Sequence, residues 1–265
     1  MNIEHLSEEE LKNIIFKKQL EWIKLCQDNF IIFAETVWQD FIYRKTKDPK
    51  KWGHHQIIAE AFEGIADGDE KRLIINMPPR HTKSEFASYL FPAWFIGKYP
   101  KKKIMQVSHN AELASRFGSK VRNLMNTAEY KQIFGNVQLR EDSKAKGRWE
   151  TNHGGEYFAA GVGGSITGRG ADLLIIDDPH TEQDSMSDSA MDRAYEWYNS
   201  GPRQRLQPGG RICVVMTRWA TDDLTGRLIK SQSEPKADKW NVIEFPAILP
   251  NDEPVWPEYW SKEDL

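Results

Sequence analysis

Apolar positions in the first seventy residues recur at helical spacing. Over 7–28, Leu11, Ile14, Ile15, Trp22, Ile23, Leu25 and Cys26 fall largely on one stripe, and Ser7 followed by Glu10 forms a capping box. The spacing predicts a second helix over 30–43 and a third over 55–66, closed by the polar turn Asp67-Gly68-Asp69. From Arg72 the pattern changes. Short apolar runs at 72–77, 103–108, 173–177, 211–217 and 240–245 read as strands, separated by helical segments at 83–96, 111–125, 188–205 and 222–231. Strands apolar on both faces and alternating with helices predict an α/β fold, with a mainly parallel sheet covered on both sides. Residues 147–151 and 156–161, broken by Asn152-His153-Gly154-Gly155, read as a β-hairpin inserted on that core. After Phe245, the prolines Pro246, Pro250, Pro254 and Pro257 mark an acidic linker leaving the domain.

Composition narrows the class. Hydrophobic residues make up 39% of the 265 positions, enough for a sizeable core, which excludes gross disorder. No apolar run nears the roughly 18 residues that span a bilayer. The first twenty residues contain no basic stretch followed by an apolar one, as a secretory leader would. Two cysteines, Cys26 and Cys213, exclude a disulfide scaffold and a four-cysteine zinc site, and fit a reducing compartment. The net charge is -3; the last fifteen residues hold five acids and one lysine, which leaves the preceding 250 at +1. That balance neither demands nor forbids a nucleic-acid partner, because a transient grip needs only a local basic face. The ten tryptophans read mostly as core or interface anchors.

Residues 73–84 run Leu-Ile-Ile-Asn-Met-Pro-Pro-Arg-His-Thr-Lys-Ser: an apolar strand, a tight loop, then Lys83-Ser84 opening a helix. That is the layout of a phosphate-binding loop. Backbone amides and the helix N-terminus face the anion, Lys83 reaches the outer phosphates, and Ser84 holds Mg2+. The glycines of G-x-x-x-x-G-K-[ST] are replaced by Met77 and Thr82, so a Pro-rich strand-to-helix turn with an incidental Lys-Ser stays open. A second run, Leu173 to Pro179, is a buried strand ending in Asp177-Asp178. It suits a Walker B site, with Asp177 in the Mg2+ shell and Asp178 orienting or deprotonating the attacking water; the alternative is a strand followed by an Asp-Pro turn. It comes about 94 residues after Lys83. One strand and one long helix are expected between, with the metal strand directly beside the loop strand.

Three further segments carry candidate chemistry. The glycine-dense run Gly161 to Gly170 contains Arg169, suited to stabilising γ-phosphate charge in trans at a subunit edge, or simply solvated on a flexible loop. Val214 to Trp219 is a strand ending in Thr217-Arg218, where a polar sensor can sit beside the γ-phosphate, or a plain strand end. His54-His55-Gln56 precedes the loop strand, and a glutamine amide can pair with the adenine edge. His81, His109, His153 and His180 show no metal-ligand spacing. Basic clusters at Lys98, Lys101, Lys102 and Lys103, at Lys144, Lys146 and Arg148, and at Arg203, Arg205 and Arg211 read as solvated faces unless one lies on a loop at a DNA channel.

In combination, Met-Pro-Pro-Arg-His-Thr-Lys-Ser at 77–84, Ser-Ile-Thr-Gly-Arg-Gly at 165–170 with the strand 173–179, and Met-Thr-Arg-Trp at 216–219 with 222–228 resemble the large terminase subunit of tailed bacteriophages, over about residues 50–250. The resemblance implies the ATPase half of a DNA-packaging motor. It implies a RecA-like, additional-strand P-loop ATPase domain over 51–248, an N-terminal helical subdomain over 1–50 and a linker over 249–265. ATP and Mg2+ are the implied cofactors, with Pro79, Arg80, His81, Thr82, Lys83 and Ser84 around the phosphates and Ser84 and Asp177 on the metal. Lys83, Arg80, Asp178 and Thr217 would serve catalysis, Gln56 would contact adenine, and Arg169 would act on a neighbour's ATP. Implied partners are double-stranded DNA, the portal protein and the small terminase subunit. The chain would form a homo-oligomeric ring in the motor and be a monomer in isolation, in the cytoplasm of the infected bacterial host, with no membrane contact.

Two departures stand out. The family often has glycine where Thr82 stands, and a Cβ there strains the loop or tightens the phosphate pocket. It commonly has glutamate where Asp178 stands, one methylene longer in its reach to water. The family's C-terminal RNase H-like nuclease has no counterpart in this chain, so ATP hydrolysis without DNA cleavage is expected, from a truncated chain or a split gene. Two alternatives stay open: a helicase-like nucleic-acid translocase ATPase, and a hydrolysis-deficient nucleotide-binding scaffold of the same fold.

Overall fold

The computed structural model describes residues 7–265. Helix α1 (Glu8–Asp28) starts where the capping box places it: the Ser7 hydroxyl accepts from the Glu10 amide, and the Glu10 carboxylate accepts from the Ser7 amide at 2.8 Å. Its expected stripe closes only in the last turns, with Cys26 buried and Trp22 and Ile23 half-buried, while Ile15, Phe16, Leu20 and Leu25 stay exposed. Helix α2 spans Phe30–Val37 and not 30–43. Beyond Val37 the chain leaves the helix to stack its aromatics, Trp38 on Phe41 at 5.0 Å and Phe41 on Tyr43 at 4.7 Å. Helix α3 (His54–Asp67) ends at Gly68, whose φ of 90° is the left-handed cap glycine allows.

Strand β1 (Arg72–Asn76) feeds the loop 77–82 and a helix that opens at Lys83. Its next stretch, Glu85–Leu90, is wound as a π-helix before α4 (Phe91–Lys98) restores the ordinary pitch. Pro92 has no N–H for the Ser88 carbonyl, and the Phe91 amide reaches back to Phe86 instead. There follow β2 (Lys103–Ser108), α5 (Ala111–Leu124), α6 (Ala128–Phe134), β3 (Leu139–Ala145), β4 (Arg148–Thr151), β5 (Glu156–Gly161), β6 (Ala171–Asp177), α7 (Asp188–Ser200), β7 (Leu206–Met216), α8 (Leu224–Ser231) and β8 (Asn241–Glu244). Thus, beyond the helix that opens at Lys83, four strands (β2 to β5) and two helices (α5 and α6) precede β6, where one strand and one long helix were expected besides the hairpin. Helix α7 also stops at Ser200, short of 205, and a separate 3-10 turn covers Pro202–Arg205.

Among the described residues, eight strands form one sheet in the order β3-β4-β5-β2-β6-β7-β1-β8. The five pairings from β5 to β8 are parallel; β4 alone runs against its neighbours. The hairpin is therefore an extension of the sheet edge, joined to it by β5 beside β2. The expectation that the acid-bearing strand adjoins the loop strand fails, because β7 lies between β6 and β1. Register aligns the carboxyl ends: Asn76 pairs with Met216, and Asp177 with both Val215 and Ser108.

Side chains alternate between two cores. Leu73, Ile75, Leu173, Ile175, Cys213 and Val215 join one apolar cluster with α1 to α6; Ile74, Leu174, Ile176, Ile212, Val214 and Met216 join the other with α7 and α8. This is a mostly parallel sheet flanked by helices, an α/β architecture consistent with a P-loop NTPase-like fold. The segment after β8 folds back, pairing Ile248 with Pro254 and burying Val255 and Trp256. Of the ten tryptophans, only Trp219 is exposed, which fits their reading as anchors.

Candidate functional site

The carboxyl edge of β1, β6 and β7 brings the two sequence-predicted segments together. Lys83 is 7% exposed, and its Nζ lies 3.0 Å from Asp178 Oδ2. The other Asp178 oxygen accepts the Thr217 amide at 2.9 Å, so loop, acid strand and β7 meet at one carboxylate. Asp178 holds this place with a φ of 42°, in the left-handed region, while its own amide donates to Val215 O and its carbonyl accepts from His109 N. That backbone hooks β6 to β2 and β7 at once.

Asp177 is buried at the end of β6. Its Oδ1 accepts from Ser84 Oγ at 2.9 Å and its Oδ2 from Ser88 Oγ at 2.6 Å; Ser88 Oγ in turn accepts from Gln106 Nε2 at 2.8 Å. Burial pushes the Asp177 carboxyl up to about 7, the adjacent Asp178 charge adds to this, and the hydroxyl donors and Lys83 pull the other way. Ser88 and Gln106 are site residues that sequence reasoning missed. Ser84 and Ser88 stand four residues apart, the spacing that shares a helix face, and that was the available signal. The buried Gln106 Oε1 and Ser108 Oγ beside them have no hydrogen-bond partner among the described residues.

The loop itself is strained. Arg80 and Thr82 have φ of 60° and 68°, a region in which a β-branched residue is an outlier. The expected effect of a Cβ at Thr82 is thus realised as strain. The amides of Arg80, His81, Thr82, Lys83 and Ser84 donate to no protein acceptor among the described residues. Such a run of unpaired N–H groups next to a lysine can receive an anion. Pro79 and Arg80 are exposed at its rim. His81 is turned inward, its Nδ1 2.8 Å from Pro79 O, in a cluster with His54, His55 and Trp256. Burial lowers all three histidines, His54 to about 4, so they stand neutral at physiological pH.

The remaining candidates lie elsewhere. Gln56 is buried, with its Oε1 on the Gly53 amide at 2.9 Å and its Nε2 on Thr46 O at 3.2 Å, so the oxygen caps the start of α3 and the nitrogen ties α3 to the preceding loop. A cavity of about 230 Å³ beside the loop is lined instead by Trp38, Phe41, Arg80, Thr82, Trp256 and Tyr259. Arg169 precedes β6, whose opposite end carries Asp177; it pairs with Glu156 and lies 4.7 Å over the Phe158 ring. It is therefore remote from Lys83 within its own chain. Among the described residues no group of three or more His, Cys, Asp or Glu forms a metal cage, and no helix is long and apolar enough to cross a membrane. One carboxylate and one hydroxyl fit a cation that keeps most of its waters, as Mg2+ does when substrate phosphates complete its shell.

No family model matches the chain. It is similar to the large terminase subunit of Enterobacteria phage T3, 25% identical over 189 residues. The match covers 70% of this chain and 31% of that protein, so the chain spans about a third of the relative's length. That is a distant relationship, and it suggests the terminase large-subunit family.

Proposed function

We propose that the chain is an ATPase of the additional-strand, RecA-like P-loop type, and that it serves as the ATP-hydrolysing part of a motor that translocates double-stranded DNA. One observation carries the reading. The residues after β1 and those after β6 converge on one carboxyl edge, with Lys83 on Asp178 and Ser84 on Asp177, although β7 separates the two strands. The similarity to a phage terminase large subunit supports the same family-level role.

The chemistry follows from these residues. The unpaired amides of 80–84 bind the phosphates, and the Lys83 cation neutralises the outermost one. Its transfer from Asp178 to the phosphate frees that carboxylate to orient water and accept its proton. Ser84 and Asp177 would hold Mg2+, which would supply neutralisation of the phosphate charge. Thr217, tied to Asp178 through its amide, carries the altered position of that carboxylate into β7 and α8, the segment proposed to move DNA. The aromatic-walled cavity beside Thr82 takes the base, and Gln56 caps the start of α3.

A second reading, a nucleotide-binding scaffold without turnover, is favoured by the strain at Thr82 and by the short reach of Asp178. Phosphate release by wild-type protein, with and without double-stranded DNA, decides between them. The motor reading expects release that Lys83→Ala abolishes. Binding of an ATP analogue with release at background would favour the scaffold, and no binding at all would overturn both. An unwinding assay separates a helicase, which parts the strands, from a packaging motor, which does not.

A further inference from the structure

Thr82 stands in a backbone conformation suited to glycine, one residue before Lys83, and something outside the loop must hold it there. Its φ is 68°, and a branched Cβ opposes that value. The Thr82 hydroxyl has a single proton, which it donates to His81 O. Its oxygen is then an acceptor for His55 Nε2, 2.8 Å away. His55 belongs to α3 and is wedged between Phe41 at 4.9 Å, Phe86 at 5.3 Å and Trp256 at 4.8 Å. Held on three sides, the ring cannot follow Thr82 if the loop relaxes. Burial keeps the imidazole neutral, and with the hydroxyl proton committed to His81 O, a hydrogen bond to Thr82 needs the ring's one proton on Nε2.

We propose that His55 is a positioning residue that clamps the phosphate loop in its left-handed form through the Thr82 hydroxyl, replacing a conformational freedom that a glycine would supply. The proposal rests on the nucleotide reading of the loop for its purpose, though not for its geometry. The clamp fixes where the helix opens and hence where Lys83 points. It also accounts for a threonine at a position where glycine would fold without help: hydroxyl and imidazole come as a pair, and either alone leaves the loop free to relax.

The test is a cycle between the two positions. His55→Phe keeps a ring in the aromatic wedge and removes the donor; His55→Gln keeps a donor near the Nε2 position; Thr82→Val keeps the branch and removes the hydroxyl; Thr82→Gly removes the strain. The first readout is hydrogen exchange of the Phe86 amide in ligand-free protein, because that amide donates to Thr82 O at 3.0 Å and reports the carbonyl's position. The second is the affinity for a non-hydrolysable ATP analogue. His55→Phe and Thr82→Val should each raise the exchange rate and weaken binding by about tenfold, on the order of one lost hydrogen bond. His55→Gln should stay within about twofold of wild type, and Thr82→Gly serves only as the background in which the His55 change is read. In the Thr82→Gly background, His55→Phe should cost less than about twofold. An equal cost of His55→Phe in both backgrounds, in either readout, would overturn the clamp and make His55 a packing residue. Wild-type protein that binds no analogue would refute the nucleotide reading, and with it any catalytic purpose of the clamp; the exchange readout would still decide the clamp itself.

Discussion

Replacing Asp177 by asparagine should make the protein more stable above neutral pH while removing its metal-dependent nucleotide binding. The carboxylate is 1% exposed, and burial followed by the Asp178 charge pushes it up to about 7, against 3.8 for an ordinary aspartate. Between those values the folded protein holds a proton that the unfolded chain releases. The stability this contributes is full below about pH 4, falls as pH rises, and is gone above about pH 7. A gap of roughly three pH units corresponds to about 4 kcal/mol. Asparagine is uncharged and does not forfeit that stability. It keeps an acceptor for Ser84 but offers an N–H to Ser88, a loss of about 1 kcal/mol. The net effect at pH 8 is a gain of a few kcal/mol, read as a rise of several degrees in melting temperature. At about pH 4.5 the variant should match wild type or fall slightly below it. Thermal melts at both pH values without metal, followed by calorimetry with Mg2+ and an ATP analogue, check both halves. A similar shift at both pH values, or a variant less stable at pH 8, would refute the reasoning.

Asp178→Asn leaves an acceptor for the Thr217 amide but no base. Calorimetry should find nucleotide bound while single-turnover hydrolysis falls by about 10²–10⁴; equal loss of both would contradict the assigned role. Arg169→Ala should depress an assembled DNA-translocating complex far more than dilute protein, since Arg169 is remote from its own Lys83; an identical effect in both would make its pairing with Glu156 structural. Gly97→Ala would set a Cβ 2.6 Å from the Phe134 ring, and urea unfolding should show a loss of about 1–3 kcal/mol.

The periodic parts of the chain were legible because local chemistry set them. The run Lys103–Ser108 is apolar between a lysine and a polar turn, and β2 has those limits. Ser7 and Glu10 placed the start of α1 because both partners of the box are local. Strand β3 was missed because Leu-Arg-Glu-Asp-Ser-Lys-Ala has no apolar face; it pairs with β4 at the sheet edge, where solvent accepts its charges. Strand order was not legible either, since no residue in β7 records that it lies between β6 and β1. Lys83, Ser84, Asp177 and Asp178 converge as their motifs implied, whereas the Ser88–Gln106 support of Asp177 emerges only once β2 is known to adjoin β6. The amide of Gln56 illustrates a limit of residue type: it occupies the third helical position after Gly53, where a glutamine caps the backbone as readily as it reads a base.

The central claim is that the segment 77–84 binds the phosphates of ATP opposite Asp177 and Asp178. A crystal structure with a non-hydrolysable ATP analogue and Mg2+ tests it most directly. The account predicts phosphate oxygens on the amides of 80–84, Lys83 Nζ moved from Asp178 to the outer phosphate, and Mg2+ on the side of Ser84 and Asp177. An analogue bound elsewhere, or Lys83 still paired with Asp178 beside an occupied loop, would contradict it.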